Sequence, residues 1–257
     1  CAVMIGLARV WQEFGVTADV VVGHSQGEIA AACVAGMLTV SEAMRIVVTR
    51  SRLLAGLPAG GGMLSVQTTA EHAEEIVAAY SGVSIAAVNG PTAVVLSGPQ
   101  PQLAEITQWC ATRELRCKPI PVDYASHSAQ VEPVREELLS ALAGVSPQSG
   151  RVGLYSTVDN TLLDGGRLDA DYWYRNLRQP VRFAPVITEL AGQGYTCFIE
   201  ISPHPVLTAG IQDCVDATPV GQRAVVTGTL RRDDGGMPRV LHSLAHTWVH
   251  GLPVDWQ

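Results

Sequence analysis

A serine set between glycines is the first place where this sequence could do chemistry. Gly23-His24-Ser25-Gln26-Gly27 follows the apolar run Val20-Val21-Val22 and precedes an alanine-rich stretch. A G-x-S-x-G motif carries weight when it joins a strand to a helix, because the sharp turn then lifts the serine hydroxyl above the sheet edge. The two glycines are expected to take the backbone angles that other residues resist. Gln26 N–H would open the helix, where unsatisfied donors and the positive dipole end favour an oxyanion. Ser25 is therefore the candidate nucleophile, with the Gln26 backbone as its oxyanion donor.

A serine hydroxyl needs a base, and seven histidines are available. His24 adjoins Ser25, so its side chain diverges from the hydroxyl and reads as pocket wall. His72 falls on the polar face of a helix and reads as surface. His242, His246 and His250 recur every fourth residue, a spacing that could chelate a metal. No carboxylate accompanies them, and Leu241, Ala245 and Trp248 define the expected buried side, so no metal site is expected. His204, in Ser202-Pro203-His204-Pro205, and His127, in Tyr124-Ala125-Ser126-His127, stay level as candidate bases on local pattern. Arg50 is the most informative charge. Ile46, Val47, Leu53 and Leu54 lie within about 60° of it on a helical wheel, whereas Arg45 and Arg52 point to solvent. An arginine on an apolar face needs a buried anion: either a structural partner or the carboxylate of a substrate.

The elements that must position these residues follow from periodicity. Val3, Leu7, Val10, Trp11 and Phe14 recur at helical spacing up to Gly15, and the valine run at 20–22 reads as a strand buried on both faces. A helix over 28–35 closes at Gly36, and Thr39 with Glu42 forms a capping box for a helix to about 54. From 59 to 122 the order becomes strand 63–67, helix 70–80, strands 83–89 and 93–98, helix 100–113 and strand 116–122. That is the β-α-β-β-α-β order of a ferredoxin-like unit, expected to fold as a self-contained insertion. Beyond it the pattern predicts helix 132–142, strand 153–156, helix 185–191, strands 197–201 and 224–227, and helix 238–250. The whole reads as an α/β protein with parts 1–58 and 123–250 forming a large subdomain around the small one.

Composition bounds the function. With 257 residues, 47% apolar and 16% charged, the chain is neither disordered nor many domains. A net charge of −7 without a basic stripe excludes a nucleic-acid partner, and no apolar run is long enough for a membrane span. Six cysteines without a C-x-x-C pair, Cys33 and Cys197 among them in apolar runs, indicate a reducing, cytoplasmic setting. The chain opens on Cys1 within a helical pattern and without a signal peptide, so it is expected to be a piece of a longer polypeptide.

Together Gly23-His24-Ser25-Gln26-Gly27-Glu28, Arg50, Asn89-Gly90-Pro91, Tyr124-Ala125-Ser126-His127, Tyr174 to Val181 and Val254-Asp255-Trp256 resemble the acyltransferase domain of modular type I polyketide synthases. That domain is similar to the malonyl-CoA:acyl-carrier-protein transacylases of fatty-acid synthesis. The resemblance runs from Cys1 to Trp256 and implies an α/β-hydrolase-like large subdomain with the ferredoxin-like insertion, and a post-domain linker starting at 251–257. It implies His127 as the base, oriented by a backbone carbonyl near Gln179, and Arg50 as the clamp for an extender unit's free carboxylate. Asn89 is carried over as a helper near the site. The implied substrates are acyl-CoA and the phosphopantetheine thiol of an acyl-carrier-protein domain, with no bound cofactor and a ketosynthase as neighbour. Tyr124 and the small Ser126, with Gln26, resemble the methylmalonyl-selective type. The family's N-terminal Gly-Gln-Gly loop is not matched: Gly192-Gln193-Gly194 has the letters but reads as a late turn. Two rivals stand beside this reading. One is an esterase or thioesterase using Ser25, a later Asp and His204; the other is an inactive carrier-protein docking module.

Overall fold

In the computed structural model, which describes residues 1–256, α1 (Ala2–Glu13) turns Ala8 and Trp11 inward and ends where Gly15 swings to φ +74°. β1 (Val20–Val22) and α2 (Gly27–Val34) flank the serine turn. α3 (Val40–Ala55) starts at a reciprocal capping box, in which Glu42 N–H donates to Thr39 Oγ1 and Thr39 N–H donates to Glu42 Oε2 at 2.8 Å. The next six elements are β2 (Gly61–Val66), α4 (Ala70–Ala79), β3 (Ser84–Gly90), β4 (Ala93–Pro99), α5 (Gln100–Ala111) and β5 (Cys117–Ile120). A 3-10 segment, Ala129–Val134, leads into α6 (Arg135–Leu142), β6 (Gly153–Ser156) and β7 (Thr161–Leu163). The chain continues through α7 (Ala170–Arg178), α8 (Phe183–Gly192), β8 (Cys197–Glu200), α9 (Thr208–Asp216), β9 (Val225–Gly228) and α10 (Met237–Val249).

β1 pairs parallel with β6, and β7 adds an antiparallel edge, while β8 and β9 form a separate parallel pair. Helices α2, α3, α6 and α7 close over the β1–β6 side, burying Ile29, Ile46, Leu138, Trp173 and Leu177. The small sheet has the order β3-β4-β2-β5 with every neighbour antiparallel, which is the ferredoxin-like arrangement. α4 and α5 cover one of its faces through Ile76, Leu103 and Ile106.

Three expectations need correction. The small sheet is not closed on itself: Ala86, Ala87 and Val95 share a core with Phe183, Val186 and Ile187 of α8 and Ile211 of α9, so its second face belongs to the large part. On α10 the buried stripe is Val240, Ser243, Leu244 and Thr247, while Leu241 and Trp248 are 39% and 52% exposed. Polar residues can occupy that stripe because Ser243 Oγ donates to Thr229 O and Thr247 Oγ1 to Leu244 O, leaving no hydroxyl unpaired. Finally, α7, α9 and β7 had no counterpart in the sequence reading. All six cysteines are free, and no helix among the described residues is long and apolar enough to cross a membrane.

Candidate active site

The turn between β1 and α2 places its strain on the serine. Ser25 has φ 53°, in the left-handed region, and neither flanking glycine has a positive φ. This corrects the role expected of the glycines. A Cβ at Gly23 would overlap the backbone of Glu28, so Gly23 is there for close approach, whereas a Cβ at Gly27 would meet only Met4 Cε at 3.6 Å. The N–H groups of Gly27, Glu28 and Ile29 donate to the carbonyls of His24, Ser25 and Gln26. Among the described residues the Gln26 N–H has no acceptor, which leaves it available beside Ser25.

His127 reaches Ser25 from the other side of the chain. It too sits at positive φ (60°), and its own N–H is held by Leu177 O at 2.9 Å. Its ring bonds fix the tautomer. Nδ1 lies 2.7 Å from Gln179 O, and a carbonyl can only accept, so Nδ1 carries the proton. Nε2 is then a bare acceptor 2.8 Å from Ser25 Oγ. Burial, reinforced by the nearby Arg50 charge, pulls His127 down to about 3, so the ring is neutral at physiological pH.

Arg50 is buried, 6% exposed, and its guanidinium donates through Nη2 to the same Ser25 Oγ at 3.2 Å. Its Nη1 donates to Asn176 Oδ1 at 2.8 Å. Burial pulls Arg50 down to about 10, which leaves it a cation at neutral pH. Asn176 in turn donates through Nδ2 to Glu28 Oε2 at 2.7 Å and to Ser25 O at 3.2 Å. Glu28 is fully buried in the first turn of α2. Its other contacts are Tyr172 OH at 2.8 Å, Thr157 N at 2.5 Å and Thr157 Oγ1 at 2.9 Å. Burial pushes the Glu28 carboxyl up, and these hydrogen bonds oppose the shift.

The remaining candidates fall around this centre in different ways. His24 donates Nε2–H to Asn89 Oδ1 at 2.7 Å and stands edge-on to Phe183 at 5.5 Å, and burial lowers its pKa. Ser126 is buried, and its carbonyl accepts from Ser97 Oγ of β4 at 2.6 Å, which ties the histidine loop to the small sheet. Tyr124, three residues before His127, is half-buried. His204 is exposed and accepts from the Arg232 N–H at 3.2 Å, so it is not the base, and the hydrolase rival loses its His204. His72 is half-buried rather than a free surface residue, bonding Thr68 Oγ1 at 2.9 Å. No group of three His, Cys, Asp or Glu among the described residues could hold a metal.

Sequence reasoning missed Asn176 and Glu28. Glu28 did leave a signal, since it is a lone carboxylate followed by Ile29-Ala30-Ala31-Ala32. Asn176 left none beyond its place in the Tyr174 to Val181 stretch that carries the resemblance, because its partners lie 126 and 148 residues away.

A serine on a strand–turn–helix elbow, paired with a neutral histidine that a backbone carbonyl orients, defines an α/β enzyme of the serine acyl-transfer class. The chain belongs to the acyl transferase domain family, whose model it matches over residues 1–253. Its relatives include the pikromycin polyketide synthase component PikAII of Streptomyces venezuelae, 49% identical over 257 residues, which are 99% of this chain and 7% of that protein. The mycoketide-CoA synthase of Mycobacterium tuberculosis is 49% identical over 258 residues, covering 100% of this chain and 6% of that protein. Among solved structures, the acyltransferase domain from module 8 of the salinomycin polyketide synthase matches with a TM-score of 0.97 and 47% identity, over 99% of this chain and 60% of that one. The chain thus spans only a small fraction of the length of these two curated relatives.

Proposed function

We propose that this chain takes a (2S)-methylmalonyl unit from coenzyme A onto Ser25 and passes it to the phosphopantetheine thiol of an acyl-carrier-protein domain in polyketide chain extension. One observation carries the reading: His127 Nε2 and the Arg50 guanidinium meet on the single oxygen of Ser25. His127 takes the hydroxyl proton as Ser25 Oγ attacks the thioester carbonyl, and Gln26 N–H receives the oxyanion. Coenzyme A leaves as the thiol with the proton from His127. The carrier thiol then reverses these steps in a ping-pong cycle. Arg50 exchanges its bond to Ser25 for the free carboxylate of the acyl unit, which a bidentate guanidinium suits. Residues 59–122 act as the inserted small subdomain, residues 251–257 begin the following linker, and the ketosynthase and linker domains lie on the same polypeptide.

Intact-protein mass after mixing with methylmalonyl-CoA should rise by one acyl group and stay unchanged for Ser25→Ala. An adduct that survives this substitution refutes the mechanism, and carrier-protein binding without any adduct assigns a docking module instead. The methyl preference rests on the small, buried Ser126 beside His127, with Tyr124, His24, Asn89 and Gln26 completing the pocket wall. A methyl group is worth about 1–3 kcal/mol of discrimination, so malonyl and ethylmalonyl units should leak through. Ser126→Phe should shift competition between malonyl- and methylmalonyl-CoA toward malonyl by about tenfold. An unchanged ratio counts against the methylmalonyl assignment.

A further inference from the structure

We propose that Asn176 is a positioning residue that aims Arg50 at the substrate carboxylate, with Glu28 as the buried counter-charge behind it; the inference rests on the carboxylate-binding role proposed for Arg50.

The argument comes from the direction of each hydrogen bond. Ser156 Oγ accepts from the N–H groups of Val158 and Asp159, so its proton goes to Tyr172 OH at 2.7 Å. Tyr172 must therefore send its own proton to Glu28 Oε2. Thr157 N–H can only donate, and it takes Glu28 Oε1, while the single proton of the Thr157 hydroxyl is shared between Glu28 Oε1 at 2.9 Å and Gly23 O at 3.2 Å. Because Arg50 can only donate, Asn176 Oδ1 faces Arg50, and this turns Nδ2 toward Glu28. Three donors, the Thr157 N–H, Tyr172 OH and Asn176 Nδ2, thus converge on Glu28, and the Thr157 hydroxyl is shared between Glu28 Oε1 and Gly23 O, an arrangement that suits an ionised carboxylate.

This arrangement is unusual for a buried arginine and glutamate, which ordinarily pair directly. Here one amide stands between them. The attraction is passed on through the amide dipole, yet no carboxylate occupies the guanidinium, so it can still form an ion pair with an anion arriving at Ser25. Meanwhile the Nη1 bond to Asn176 and the Nη2 bond to Ser25 hold the plane of the guanidinium at two points. When a substrate carboxylate takes over Nη2, Asn176 is the anchor that remains. Losing it should let the guanidinium rotate and weaken recognition of the carboxylate more than it weakens Ser25 itself.

The test compares methylmalonyl-CoA with propionyl-CoA, which differs only by the carboxylate, and measures Ser25 labelling by a fluorophosphonate, a probe without the carboxylate that Arg50 would hold. For Asn176→Ala, KM for methylmalonyl-CoA should rise at least tenfold while kcat stays within about threefold. The preference over propionyl-CoA should collapse, while labelling of Ser25, whose carbonyl also loses its 3.2 Å bond from Asn176 Nδ2, should fall several-fold less than KM rises. If the alanine variant does not fold, as read by lost labelling, Asn176→Ser keeps a hydroxyl donor for Glu28 and should give the same pattern at smaller size. Parallel loss with both thioesters and the label in the serine variant, or an unchanged KM in either variant, overturns the inference. Arg50→Ala separates the two levels. If it leaves the methylmalonyl-to-propionyl ratio intact, the Arg50 role itself fails. If it collapses the ratio while the Asn176 variants do not, only the positioning role fails.

Discussion

At the scale of single residues, the site is built from groups held in states they would not choose in water. Ser25 and His127 both sit at positive φ, a conformation that costs a non-glycine residue about a kcal/mol or more. The surroundings repay this by placing Oγ and Nε2 at 2.8 Å. The same burial keeps His127 neutral, with consequences for stability as well as for catalysis. Its folded pKa, about 3, lies below the ordinary 6.5, so between these values the unfolded chain binds a proton that the folded chain refuses. The slope of unfolding free energy with pH is then positive, and stability is lost as pH falls from about 6.5 toward 3. Between pH 7.5 and pH 5 the expected loss from His127 is about 2 kcal/mol, and His24, shifted the same way, adds to it. Denaturant titrations at the two pH values should show this decline. In His127→Gln, where the ring is gone, the decline should shrink; an equal decline in both proteins places the effect elsewhere.

At the scale of elements, legibility tracked whether the signal was local. The capping box of α3, the valine strand and the strand and helix order of the small unit are written in neighbouring residues, and they appear within a few positions of where the sequence pattern puts them. α9 is different. It has no side-chain cap of its own and contains Gly210. The N–H groups of Val206, Leu207 and Thr208 at its start are satisfied by the Glu200 carboxylate, from the end of β8. α7 hid for another reason: its aromatic run Tyr172-Trp173-Tyr174 is weak in helix propensity and is stabilised by burial from several sides. That helix and the residues after it supply Asn176 to Arg50 and the Leu177 and Gln179 carbonyls to His127. The candidate nucleophile and arginine were legible in local pattern and the candidate base only through the family resemblance, whereas the element that aligns them was not legible at all. The serine turn yields a prediction of its own. Gly23→Ala forces a Cβ onto the Glu28 backbone and must displace the elbow. A misplacement of about 1 Å is worth about a hundredfold in rate, so Ser25 acylation should fall at least that far. Gly27→Ala should acylate like the parent and change stability by no more than about 0.5 kcal/mol. Acylation rates and unfolding midpoints of the two variants measure the contrast, and equal damage from both would refute the steric account.

At the scale of the whole molecule, the insertion is joined to its host by a core rather than by a hinge. Burying one face of the β3-β4-β2-β5 sheet under α4 and α5 leaves Ala86, Ala87 and Val95 on the other face, and these are covered by α8 and α9. The histidine loop is tied to the same sheet through Ser97, and His24 is bonded to Asn89 at the end of β3. Both sides of the candidate site thus depend on how the two parts dock. A shared core of this kind should make the parts unfold together. Ile187, buried in α8 at the junction, gives a way to test it, since removing most of its side chain should cost about 2–5 kcal/mol. Trp109 lies in the small unit and Trp173 in the large one, so variants that keep only one of the chain's five tryptophans, Trp109 or Trp173, can report each part by fluorescence. Ile187→Ala should lower both denaturation midpoints by the same amount, because the lost contact supports both units at once. If the Trp173 midpoint moves while the Trp109 midpoint stays, the small sheet is stable without its second cover. The dependence of the active-site geometry on docking would then rest on the hydrogen bonds between the parts, those of Val181 with Ala86 and Val88 of β3 among them.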